Sequence, residues 1–570
     1  MKMNLNTVFL IIILAAAGCK ATLPDNLTFV DDREIYSNIT QIRNVLNNVY
    51  SQLPGGLNDI GDSWLAAACD EAEEINNASA IQSFNLGNIS PFYNPDDTWA
   101  KNYAGIYDAL VFLKATDTIT WNDRKLSNPT EYATRVALTK QYRAEARFLV
   151  GFFYFELIKR YGGVPLVDKI IDRNTDWVSQ YPRRSFSDCV SFIIACCDSA
   201  AANLPDTYDA GNYGRAAKGT ALALKARTLL YAASDLYNQT GNTDPLSGYT
   251  DGDRASRLLK AAEANKAVID FKPAYAFQAT YEGLFTLGSG KSTEVIFERR
   301  FAASNAFEKR NTAVGFPLGQ TGTCPSGNLV DAYEHLNDGA FNWSNPAHAA
   351  DPYANRDPRL GKTIVVNGSL FGKIKDTVQL YTGGINGKPR DRASKTGYYL
   401  RKYINENLDL TLGETGTKQW IYMRLAEFYL NYAEAMNELY GPGGTGSGTL
   451  TTSAVAAVNS VRTRAALKLK AITVPGSKDD FRNTIRRERR VELAFEGHRF
   501  WDVRRWKIAD QTIGGALSGV DIKKNTANNS VVYTPFTVET RTWDDKLYYY
   551  PIPQSEISKS NGIIVQNKGW

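Results

Sequence analysis

Near its start the chain carries a thiol in the setting that lipid attachment requires. Met1-Lys2 leads into an apolar run from Val8 to Ala17, which ends in Ala16-Ala17-Gly18-Cys19. Small residues before a cysteine fit the narrow cleft of lipoprotein signal peptidase, although Ala16 stands where leucine is favoured. The expected chemistry is a thioether between the Cys19 sulfur and a diacylglycerol, cleavage after Gly18, and acylation of the new amino terminus. An apolar run of about ten residues is half of what spans a bilayer, so residues 1–18 read as a signal peptide and not as a membrane helix. Plain secretion would use the same segments but would have no need of the cysteine. Several acyl chains, at about 0.8 kcal/mol per buried CH₂, hold far more firmly than one.

Elsewhere, Asp70, Glu71, Glu73 and Glu74 form an acidic cluster. It lacks the alternating pattern of an EF-hand loop, so a solvated helix face is expected in place of a calcium site. The run Gly441 to Gly448 follows a helix and lacks Gly-Lys-Ser/Thr, which makes it a helix connection and not a phosphate cradle. Beyond Cys19 there are Cys69, Cys189, Cys196, Cys197 and Cys324, an odd set without CxxC spacing that makes no disulfide framework and no zinc site; Cys189, Cys196 and Cys197, in one apolar helical stretch, are expected as buried thiols. With His335, His348 and His498 as the only histidines, histidine-based metal catalysis is not expected and no cofactor is implied. Neither Gly-x-Ser-x-Gly nor His-Glu-x-x-His occurs. A glycosidase pair of carboxylates, distant in the chain, stays open.

The elements that must position such residues are mostly helical. Apolar residues at helical spacing run from Glu131 to Tyr161 and stop at Gly162-Gly163 and Pro165. Further helices are expected at about 187–203, 218–237, 253–269, 422–440 and 452–466, with Trp99 starting another and packing in the core. They fall into pairs with small residues at the contacts, resembling tetratricopeptide hairpins. The expected organisation is one domain, 19–570, with a helical scaffold from 131–270 and 420–510. Two long stretches rich in Gly, Pro, Asn and Asp, 58–97 and 301–399, have the length of loops that carry function. Net charge is +5 on 570 residues, with 65 basic against 60 acidic, so no field points to nucleic acid. Aromatic residues are 12% of the chain, and some of them sit in the polar loops.

Phe481 to Trp506 interleaves arginines with aromatics. Glu488, Glu492, Glu496 and Asp502 are spaced to pair with those arginines on neighbouring turns, which predicts a structural helix with its own ion-pair network. The stretch Arg487-Glu488-Arg489-Arg490-Val491-Glu492-Leu493-Ala494-Phe495-Glu496-Gly497-His498-Arg499-Phe500-Trp501-Asp502 resembles the hallmark of the SusD/RagB outer-membrane lipoproteins. Also in that family's order come Arg143 to Phe148 with Arg160 to Pro165, then Asp357-Pro358-Arg359-Leu360 and Arg424-Leu425-Ala426-Glu427. Val458 to Ala465 and Tyr550-Pro551-Ile552-Pro553 with Gln566-Asn567 complete the series.

The resemblance implies a mainly α fold of four tetratricopeptide-like helix pairs with an irregular, ligand-facing half. It implies a cell-surface protein, anchored in the outer membrane through Cys19, that captures oligosaccharide without chemistry. The partner would be a SusC-like TonB-dependent transporter, with no nucleic acid involved. Lys20 resembles the start of the family's surface-export signal, but the acidic residues that usually follow are absent until Asp25. Competing functions are uptake of a peptide or another nutrient on the same fold, and a surface glycosidase. No site motif carries over residue by residue. A sugar offers a C–H face to aromatics and hydroxyls to polar side chains, so Trp64, Phe84, Phe92, Tyr93, Phe307, Phe316 and Trp343 are the expected platforms and Arg310 a hydroxyl partner.

Overall fold

A computed structural model describes residues 32–570 except 173, 175, 274, 287 and 289, so Cys19 and the segment before it lie outside the described residues. The long helices are α1 (Ile39–Ser51), α2 (Trp99–Ala115), α3 (Pro129–Tyr161), α4 (Phe186–Ala201), α5 (Lys218–Ala233), α6 (Arg254–Ile269), α7 (Leu425–Tyr440), α8 (Ala454–Arg462) and α9 (Lys478–Glu492). Helices α2 to α7 each pack on the next in chain order, α8 and α9 close the far end on α7, and α1 lies against α2 and α3. Helix α3 is the centre: every side from Phe148 to Ile158 is buried, which a helix shows only when neighbours surround it.

Local signals set the ends. Asn128 caps α3 by accepting the Glu131 N–H at 3.1 Å, with Pro129 in the first turn, and Gly162 ends it at φ +73°. Ser185 caps α4, and Ser477 with Asp480 forms a capping box on α9. Gly163 has no room for a side chain, since a Cβ there would meet the Arg184 carbonyl at 2.1 Å. The Gly441 to Gly448 run connects α7 to α8 as expected, and the five cysteines among the described residues are free and buried.

The described strands form two-stranded antiparallel sheets. Val295–Ser304 pairs with Gly416–Arg424 in the register Val295 to Arg424, delivering the chain into α7 from the core. Ala516–Lys524 pairs with Val531–Thr540, and Ala72–Glu74 with Thr323–Pro325.

Two expectations are corrected. The hallmark is not one helix. α9 ends at Glu492, a turn with Phe495 at φ +61° and Gly497 at φ +75° reverses the chain, and α10 (Arg499–Arg505) follows. Its glutamates pair with arginines far away in sequence, not mainly with those on neighbouring turns. Glu492 receives Arg424 at 2.7 Å, Arg464 at 2.8 Å and Arg359 at 2.9 Å. Glu496 takes Arg424 at 2.6 Å and Lys402 at 2.8 Å, and Glu488 takes Arg359 and Arg462. Every one of these side chains is buried. The family-like segments at Arg359, Arg424 and Arg462 to Arg464 are therefore arms of one buried ion-pair network centred on the hallmark glutamates.

Nor is the acidic cluster a solvated helix face. Asp70, Glu71, Glu73 and Glu74 are buried in a turn and a short strand. Asp70 binds Arg490 and Arg499 at 2.8 Å each, Glu73 binds Arg541 at 2.7 Å, and Glu74 binds Arg310 at 2.5 Å. Carboxylates this deep persist because guanidinium groups offset the desolvation. The cue lay in the arginines, whose partners no local spacing identifies.

Candidate functional site

The loop-rich half builds a groove of about 210 Å³ between residues 308–317, 371–376 and 404–411. The half-buried Phe316 gives the groove its aromatic surface and is backed by the buried Phe371, rings 5.1 Å apart and nearly perpendicular, with Ile404, Leu408 and Leu410 extending the apolar floor. Asn405, Asp409, Thr411 and Lys373 make a polar rim. The rim is braced. Glu406 accepts from the Gly372 N–H at 3.2 Å and from Arg401 and Lys375 at 2.8 Å each, tying the 371–376 turn to the 401–411 segment. The Thr411 hydroxyl, donating to Asp409 at 2.6 Å, holds that carboxyl below its usual range. Glu308 lines the groove and is held by Lys418 at 2.6 Å, while its Oε2, sealed from solvent, has no hydrogen-bond partner. Beside the groove, Ile374 and Leu412 are 78% and 75% exposed. The arrangement suits a ligand with one apolar face and a hydroxylated edge.

The expected site residues do not converge. Trp64, Phe84 and Phe307 are buried, which corrects their assignment as open platforms, and Trp64 lines a separate cavity of about 120 Å³. Trp64 stacks on Phe495 and donates to Thr323 at 2.9 Å, Phe84 packs on Phe500, and Phe307 packs on Trp64. Their rings fill the joint between the loops and the hallmark turn. Arg310 is committed to Glu74 and to the Asp62 carbonyl at 3.1 Å. Trp343 is half-buried and donates to both oxygens of Asp331 at 3.1 Å, while burial pushes the Asp331 carboxyl up to about 6. Phe92, 84% exposed, and Tyr93, 49%, stand on a turn closed by Ser90, whose hydroxyl accepts both their amides. Phe316 alone lies in the groove. Phe371 and the 404–411 rim were missed; the sequence clue was a dense run of Asn, Glu, Asp and Thr beyond the 301–399 boundary.

A second cluster joins residues not expected to meet. His335 Nδ1 and His348 Nε2 approach Asp338 at 3.0 and 2.8 Å. The Asn342 amide donates to His348 Nδ1 at 3.2 Å, so the His348 proton sits on Nε2 and is given to Asp338. Through Asp338 the cluster clasps the 335–338 turn to the 342–348 segment.

Two family models match the chain: one described as the SusD family over residues 293–570, the other as starch-binding and associating with the outer membrane over residues 26–230. The chain belongs to the SusD family. Among SusD-like relatives, protein P2 of Formosa agariphila is 22% identical over 99% of both chains, and protein P38 of that organism is 26% identical over 66% of this chain and 68% of its own. A SusD-like protein from Bacteroides fragilis is 27% identical, covers 95% of this chain and 99% of its own, and superposes with a TM-score of 0.75. Surface glycan-binding protein A from Bacteroides fluxus shares the fold at 20% identity, with a TM-score of 0.61 over 93% of this chain and 99% of its own. A laminarin-binding SusD-like protein does so at 20% identity and 0.59 over 95% and 100%. The mainly helical SusD architecture expected from the motifs is thus the one observed. Among the described residues, no helix is long and apolar enough to cross a membrane.

Proposed function

We propose that this chain is a glycan-binding lipoprotein of the cell surface that captures oligosaccharide in the Phe316–Phe371 groove, performs no chemistry on it, and delivers it to a SusC-like TonB-dependent transporter. The observation that carries the reading is the groove itself, an aromatic surface facing a braced rim of amide, carboxylate and hydroxyl groups. Relatives named for laminarin or surface-glycan binding support it. Anchoring through Cys19 would place the body at the outer membrane, facing outward, beside its transporter.

Native gels loaded with laminarin and other polysaccharides test capture. Retarded migration without release of reducing ends is expected, whereas steady release of ends would make the protein an enzyme. Phe316→Ala is expected to weaken binding about tenfold, since one aromatic face is removed from the ligand; an unchanged affinity would place the platform elsewhere. Cys19→Ala is expected to move the protein wholly to the soluble fraction while the affinity of the body stays the same. Retention of that variant in membranes would remove the anchor from the reading.

A further inference from the structure

On another face, an open groove of about 510 Å³ lies between α1, the 211–215 loop and the Val295–Ser304 strand, within the size range of ligand clefts. It shares no lining residue with the Phe316 groove. Four arginines meet in it, Arg43 from α1, Arg215 from the loop, and Arg299 and Arg300 from the strand. Two are neutralised: Arg215 pairs with Glu145 at 2.8 Å and Arg300 with Glu298 at 2.7 Å. The other two have no carboxylate partner among the described residues. Arg299 donates to the Leu53 carbonyl, and Arg43 is exposed. Tyr213 is held with Lys291 4.9 Å and Arg300 5.1 Å from its ring, and the Tyr50 ring takes Arg215 at 5.3 Å.

We infer that this groove is a second ligand site, selective for saccharides that carry an acidic group, a uronate carboxylate or a sulfate ester. Arg43 and Arg299 supply the fork of donors that matches either oxyanion. The Tyr213 side of the groove supplies aromatic surface, and Asn47 and Asn212 supply neutral donors and acceptors for ring hydroxyls. A bare phosphate would use the charges alone, while an acidic sugar uses all three. The inference rests on the glycan-binding reading only for the saccharide part of its ligand.

The test is calorimetric titration of the full chain with trigalacturonate, with a sulfated carrageenan oligosaccharide, and with neutral galactotriose. Binding of at least one acidic ligand, weakened by added salt, is expected, with the stronger arm telling carboxylate from sulfate. Arg43→Ala should weaken it about tenfold and Arg43→Glu further, because a charge-assisted contact is lost and then reversed. Arg43 is exposed on its helix, so neither variant threatens the fold. Phe316→Ala should leave acidic binding unchanged. Equal affinity for acidic and neutral trisaccharides, or full acidic binding by Arg43→Glu, would overturn the inference. So would binding to phosphatidylglycerol vesicles without binding to either acidic sugar. Neutral binding lost in Phe316→Ala with no acidic binding sinks this inference alone; acidic binding that depends on Arg43, with no neutral binding, sinks the Phe316 groove alone.

Discussion

Glu492→Ala is expected to lower folding stability by about 3–5 kcal/mol, the loss that follows when a buried ion pair is broken from one side. Glu492 is fully buried and its two oxygens receive Arg359, Arg424 and Arg464. Removing it leaves those guanidinium groups with their remaining partners and with one negative charge too few. Proteins of this kind have about 5–15 kcal/mol in total, so the variant is expected to unfold at much lower urea or to accumulate poorly. Partial rescue by a second change, Arg464→Met, would show that the loss comes from uncompensated charge and not from a cavity. A loss below about 1 kcal/mol for Glu492→Ala would mean that the network contributes little.

The second large effect is on the pH dependence of stability. Burial by itself would raise the Asp70 carboxyl, but Arg490 and Arg499 outweigh it and hold the group at about 2; Lys159 and Arg160 do the same for Glu156. A carboxyl depressed in the folded state stabilises above its unfolded value near 4. That contribution is lost as pH falls toward 2, at roughly 2–3 kcal/mol for each group. Glu71 has the opposite sign. Burial, reinforced by the neighbouring Asp70 charge, pushes it up to about 8, and its Oε1 has no hydrogen-bond partner. Its folded form keeps a proton that the unfolded chain releases above about 4.5. Its contribution is therefore complete below that pH and is lost as pH rises through 8. Glu71→Gln imitates the protonated acid. Its stability relative to the parent should be flat below pH 4.5 and then improve by about a factor of ten in the folding equilibrium per pH unit up to about 8. Urea midpoints of the two proteins across pH 4 to 9 check this, and parallel curves would show that Glu71 is charged in the fold.

Both predictions depend on groups whose roles were hidden in the chain. The helices were legible because their signals are local: Asn128-Pro129, Ser185, Ser477 and Gly162 act within a few residues. The helical connection at Gly441 to Gly448 and the buried thiols were legible for the same reason. Burial of Trp64, Phe84 and Phe307 was not, because an aromatic in a polar loop has the same neighbours in sequence whether it meets solvent or the Phe495 turn. Asp70 to Glu74 misled in the same way, since four acids within five residues describe a solvated face until Arg490, Arg499 and Arg541 arrive from more than four hundred residues away.

By itself the sequence determined the family, the helical class and the expectation of a lipid-anchored thiol at Cys19. Each is written as a contiguous run of residue types. Only the tertiary structure decided which arginine neutralises which carboxylate, which aromatics remain open, and where Phe316 finds Phe371 and the 404–411 rim. The physical reason is range. Capping and helical packing periodicity act over a turn or two, whereas ion pairing and ring burial act across space, between residues that the fold alone brings together.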